Sequence, residues 1–427
     1  MSSSLSSQAS NTGSLVGAAL LLLFTITGGQ HALAQDEEPP EPTPLEEAQV
    51  DTRELQAFRD AIAGVESSGG AYATMLPEQL LSLGLALQQE GRHADAVAIF
   101  KRGAHLARIN NGLYSAAQIQ HIQNKITSHL ALGELDQADK SQARLFRVQR
   151  HNPGNSELDV DALLQQARWQ RQAYELGIGG DELSFGRLMN MWDLNRLALT
   201  GTIDAEGDKS PNLLPPLYGM LRAQYLISGH QDHTKKTSSD FNSDIGSRQA
   251  HSRFNSYQSK SFDMGRSIIR AIYDIQAAQH GEKSMATIET RVMMGDWMLW
   301  HGARDPALET YALALGELAE LDDAQLQTEN LLGAPAALPD LEGVRRLPPE
   351  VSAGEADFLV EFGVTQGGRV VDLVHLQQTE DGQEETALGV QEKRLMRTLR
   401  KTMFRPRFED GEAITTEKVV KAYAIAQ

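Results

Sequence analysis

The feature that most constrains this chain is a spacing of small and aromatic residues within paired helical patterns. From Glu78 to Ala107, apolar residues fall at Leu80, Leu81, Leu83, Leu85 and Leu87, then at Val97, Ile99, Phe100, Ala104 and Leu106, with Gly91 between the two runs. Helical periodicity broken by one glycine predicts a helical hairpin. Gly84, Ala96 twelve residues on and Phe100 four further on supply two small residues where helices approach and a ring to fill the gap beyond. The skeleton returns at Gly295, Ala307, Tyr311 and Ala314. There Gly302-Ala303-Arg304-Asp305-Pro306-Ala307 stands where Gly91-Arg92-His93-Ala94-Asp95-Ala96 stood, and Pro306 suits a first helical turn because its missing N–H would be unpaired there anyway. A looser unit has Gly133-Glu134-Leu135-Asp136-Gln137-Ala138 as its turn, after a helix from about Ala116 to Leu132 and before Ala143, Leu145 and Phe146.

These residues resemble the tetratricopeptide repeat, whose units stack into an α-solenoid. The resemblance implies a mainly α fold over residues 56–330, with helices at about Asp159–Leu176, Glu182–Leu199 and Pro216–Ile227 as degenerate units. Within it, Gly229 to Phe262 is dominated by Ser, His, Asn, Gln and Lys and is expected to be a long polar loop, after which Ile268, Ile269, Ile272 and Ile275 mark a resumed helix. Residues 331–350 contain four prolines and are expected to end the helices as a linker.

The first 34 residues read as an export signal. Leu15 to Ile26 is an apolar core too short to span a bilayer comfortably, and Ala32-Leu33-Ala34 offers small residues for cleavage between Ala34 and Gln35. No Lys or Arg precedes the core, so an uncleaved single anchor stands as the alternative. Residues 35–55, acidic and Pro-rich, are expected to form an extended linker. The expected location is the periplasm, or the inner membrane facing it. Membrane contact is expected only if the first segment is retained. A chain without cysteine has no disulfides or thiolate metal sites, and a net charge of −18 argues against nucleic acid as a partner.

Residues 351–427 change character. Asp357 to Val364 alternates with period two, Thr365-Gln366-Gly367-Gly368 supplies a turn, and Arg369 to Leu376 returns as a second strand. Leu388, Leu395, Met396, Leu399 and Met403 line one face of a helix from about Ala387 to Thr402, and Glu417 to Ile425 makes a last strand. One helix cannot bury both faces of such a sheet, so one face is open or covered by the repeats. Phe362, Val364, Gly368, Arg369 and Val370 in the hairpin, with Phe404, Arg405, Pro406, Asp410 and Gly411 after the helix, are similar to the TonB C-terminal domain. That resemblance implies a small α+β module of β-β-α-β order whose last strand, Lys418, Val419, Val420, Lys421, Ala422 and Tyr423, pairs with a partner's extended segment. An ordinary sheet edge guarded by Lys418 and Lys421 is the competing reading.

A basic cluster, Arg394, Arg397, Arg400, Lys401, Arg405 and Arg407, is either an anion-binding face or the cationic end expected of a helix C-terminus. His230-x-x-His233 lacks a third ligand and reads as solvated loop. Gly177-Ile178-Gly179-Gly180 follows a helix and reads as its C-cap. With no catalytic, metal or cofactor motif to build on, the sequence reads as a non-catalytic scaffold for envelope proteins or peptides. Energy transduction to an outer-membrane transporter through an uncleaved anchor is the alternative.

Overall fold

Gly84 and Gly295 show why these helices pair. A Cβ on Gly84 would collide with the ring of Phe100, and one on Gly295 with the ring of Tyr311. Only a residue without a side chain lets each ring lie flat on the facing helix backbone. The computed structural model describes residues 44–152, 159–230, 245–376 and 387–424, so the export signal, the Ala34–Gln35 junction and His233 lie outside it. The chain divides into two units, residues 1–50 and 51–427, and the second holds the sheet and every helix that begins after residue 50.

The helices are α1 (Pro44–Gly69), α2 (Leu76–Gln89), α3 (His93–Asn111), α4 (Ile119–Ala131), α5 (Leu135–Arg150), α6 (Val160–Glu175), α7 (Gly180–Glu206), α8 (Leu214–Gly229), α9 (Ile245–Ser259), α10 (Ser261–His280), α11 (Met285–Trp300), α12 (Arg304–Leu318) and α13 (Ala324–Leu332). The helices pack in pairs, α2 with α3, α4 with α5, α6 with α7, α8 with α10 and α11 with α12. Each expected turn closes alike. Gly91, Gly133 and Gly302 take positive φ, and the residues after them donate to Leu87, His129 and Met298 five positions back. This is the six-to-one bond of a left-handed helix cap. Gly177 ends α6 in the same way, with Ile178 donating to Ala173.

Three expectations need correction. The linker expected over 35–55 gives way to helix from Pro44, because Leu55, Phe58, Ile62 and Val65 follow helical spacing and pack on the α2–α3 core. The polar loop expected over 229–262 contains α9, whose Phe254 is buried against Phe185 and whose Tyr257 meets the Trp192 ring edge-on. Phe254 and Tyr257, three residues apart, share one face of that helix. The Pro-rich stretch 331–350 is a packed strap and not a free connector: Leu338 and Val344 are buried, Arg171 and Arg222 donate to the carbonyls of Gly343 and Glu342, and Arg346 lies 4.2 Å over the Trp300 ring.

The strap contributes β1 (Ala336–Ala337), followed by β2 (Phe358–Val364), β3 (Val370–His375), α14 (Ala387–Lys401), β4 (Phe404–Arg405), β5 (Arg407–Glu409), β6 (Glu412–Ile414) and β7 (Thr416–Tyr423). An antiparallel sheet of order β3-β2-β7 carries the module, β1 pairs with β4, and β5 and β6 form a hairpin across Asp410-Gly411, both at positive φ. Phe358, Val360, Phe362 and Val364 are buried toward Leu395 and Leu399 of α14, as the alternation required. Val371, Val374, Leu376 and Val420 remain exposed, so the sheet's other face is open.

Candidate functional site

The first helices of successive pairs form one face of the array. α2 touches α4, α6 touches α8, and α8 meets α11 where Tyr225 packs edge-on against Trp297 and Trp300. Between α6 and α8 this face sinks into a hollow of about 460 Å3, lined by Arg168, Arg171, Asn195, Tyr218 and Arg222 and floored at Gly219. Gly219 is where Asn195 presses closest, so no larger residue fits the floor. Arg171 reaches Glu175 at 3.0 Å and the Gly343 carbonyl at 2.5 Å, while Arg222 donates through Nε to Glu342 at 2.6 Å. Burial, then the nearby Arg171 and Arg168, lower the proton affinity of Arg222, with Glu342 opposing them. Burial likewise raises the Glu175 carboxyl against the pull of Arg171. Sequence reading missed this cluster, although Arg168 and Arg171 three apart on one helix were its visible signal.

A second polar constellation joins the last helix pair to the sheet module. Asp296 of α11 is 3% exposed; it accepts the Tyr311 hydroxyl at 2.7 Å and an Arg405 guanidinium N–H at 2.7 Å, while Arg405 also donates to Asp340 of the strap at 2.8 Å. Burial pushes the Asp296 carboxyl up to about 6, against Arg405 and Tyr311, which favour its charged form. Phe408 adds apolar contact, its ring 5.3 Å from that of Tyr311. Arg405 therefore leaves the expected anion-binding face: it is a buried structural cation. Arg407 is half-buried and pairs with Glu409 at 3.4 Å. Arg394, Arg397, Arg400 and Lys401 are exposed along α14 as expected.

Ala96 and Ala307 are fully buried between their helices, with Phe100 and Tyr311 equally so. The last strand lies at the sheet edge, its Lys418 paired with Glu361 and its Lys421 with Glu350, each at 2.6 Å. Val420 is exposed, whereas Val419, Ala422 and Tyr423 are buried. The end of this edge is already occupied, since Val351 donates to Ala422 and Ala424 to Pro349. A partner's strand therefore has only the Lys418–Lys421 part of the edge open to it. His230 contacts the Tyr174 hydroxyl at 3.0 Å and the Phe254 ring edge-on, an aromatic packing position.

No family profile matches the chain, and no curated protein matches it. Among solved structures, a Podosopora anserina chain described as a kinesin light chain with nearly identical TPR-like repeats is similar over 57% of this chain and 94% of its own, at 12% identity and a TM-score of 0.36. So loose a likeness adds nothing to function. The tetratricopeptide-like character rests on the paired helices, their glycine caps and the Gly–Ala–ring packing described above.

Proposed function

We propose that the chain is a non-catalytic protein-interaction scaffold of a Gram-negative envelope, whose first-helix face binds one protein and whose sheet module docks a second. The observation that carries this reading is the open hollow between α6 and α8, where Arg168, Arg171, Tyr218 and Arg222 face a recess of about 460 Å3 on the first-helix face. Stacked helix pairs keep their packing residues between helices, so side chains on this face vary freely with the partner. The sheet module supports the second role. Its β2-β3-α14-β7 order and its Phe404-Arg405-Pro406 run resemble the TonB C-terminal domain, and Lys418 to Lys421 offer an edge for strand addition. Burial of Arg405 against α11 favours fixed docking over force transmission.

The test is a photo-crosslinking residue at Val420, in cells of a Gram-negative host, with the mature N-terminus read by mass spectrometry. The expected result is a chain beginning at Gln35 in the soluble periplasmic fraction, with discrete protein adducts from Val420. An intact N-terminus held in the inner membrane contradicts the soluble scaffold and turns the reading to an anchored transducer. Absence of adducts removes the second docking role.

A further inference from the structure

The first-helix face carries positive charge that stands out in a chain of net charge −18. The hollow lined by Arg168, Arg171 and Arg222 continues over α5 and α6 into a second that shares Arg168 and Arg171. On its other side Glu342 links it to a third along the strap, which adds Arg345 and Arg346. Two acids along this run are already matched, Glu175 by Arg171 and Glu350 by Lys421, while Asp340 shares Arg405 with buried Asp296. Among the described residues lining it, Glu342 and the shared Asp340 are left against four cations, Arg168, Arg222, Arg345 and Arg346. Arg222 engages a carbonyl through Nε, and Arg346 stacks on Trp300. Glu342 favours the charged form of Arg222, and among the described residues no acid does so for Arg346. Arg168 and Arg171 repel Arg222, which is half-buried. The arrangement lacks its counter-charge.

Resting on the reading of this face as a protein-binding surface, we propose that the run of hollows binds an extended protein segment rich in Asp and Glu, its side-chain carboxylates bridging Arg168, Arg222 and Arg346. Planar guanidinium forks match carboxylates in paired hydrogen bonds, which gives such a segment register as well as attraction. A flat anionic bilayer cannot descend to the recessed Arg222. A nucleic acid would meet the acidic remainder of the chain.

The experiment titrates the full chain with an acetylated, amidated peptide alternating Glu with Ala, and with its Gln counterpart, by fluorescence anisotropy. Blocked ends leave side chains as the only carboxylates. The Glu peptide is expected to bind more than roughly tenfold tighter than the Gln peptide, about one 1.4 kcal/mol step, and to weaken as salt shortens the screening length. Arg168→Glu, at an exposed position, is expected to weaken it roughly tenfold, and Arg397→Glu on α14, with the same charge change, to leave it unaltered. Equal binding of Glu and Gln peptides, lost in Tyr218→Ala, overturns the acidic specificity while sparing the protein-binding face. Binding of neither peptide overturns the proposal, and if crosslinkers on α6 also yield no protein adduct the scaffold reading falls with it. Preference for anionic vesicles or an oligonucleotide over the Glu peptide also overturns it.

Discussion

The α2–α3 and α11–α12 pairs share one skeleton and differ at two residues that decide their chemistry. Both have glycine under an aromatic ring, a fully buried alanine and a turn closed by a left-handed glycine. In the first pair the ring is Phe100, enclosed by Leu76, Leu80 and Leu83, and the residue after Gly84 is Leu85, 39% exposed. In the last pair the ring is Tyr311 and the residue after Gly295 is Asp296. That hydroxyl and carboxylate meet at 2.7 Å and receive Arg405 from the sheet module. Packing geometry is thus indifferent to what the pair does next. A phenol and a carboxylate convert an interior repeat into the seat for a second module.

The largest effect should come from breaking that seat. Arg405→Met leaves Asp296 buried without its partner and is expected to destabilise the chain by ~3–5 kcal/mol in denaturant melts, with no counterpart in the first pair. Tyr311→Phe makes the last pair resemble the first; by removing a hydrogen bond to a buried charge it should cost ~1.5–3 kcal/mol. Gly84→Ala, tested by the same melts, should cost ~1–3 kcal/mol by forcing Phe100 aside, and Gly295→Ala should do likewise, since this part of the skeleton is common to both pairs. Asp296 should also give the last pair a pH dependence that the first lacks. Its folded value of about 6 lies above the ordinary 3.8, so the folded state holds the proton more tightly between them. That contribution is complete below about 3.8 and is lost as pH rises through about 6. Asp296→Asn should flatten this slope in melts run from pH 4 to 7. The smallest effect belongs to Lys418→Ala, whose exposed pair with Glu361 is worth ~0–1 kcal/mol.

The elements legible in sequence were those whose signal is local. Helical spacing around Gly84 and Gly295, the capping glycines and the period-two run Phe358 to Val364 each encode their structure within a few residues. The less legible parts were set by distant contacts. Phe254 and Tyr257 join a helical face whose burial depends on Phe185 and Trp192, far earlier in the chain. The strap is ordered because Arg171 and Arg222 hold its carbonyls, not because of its prolines. Arg405 read as surface charge because its neighbours in sequence are basic, while its partners Asp296 and Asp340 lie far away in the chain. Asp296, a lone acid in the apolar run Met293 to Trp300, was the visible hint that a buried cation had to exist.

The first-helix face is where we expect a protein partner to bind. A photo-crosslinking residue placed in turn at Arg168 and Gln172 of α6, and at exposed Arg196 of α7, tests it in the native envelope. One discrete protein adduct is expected from both α6 positions and none from Arg196. Equal labelling from all three positions, or adducts from Arg196 alone, contradicts it.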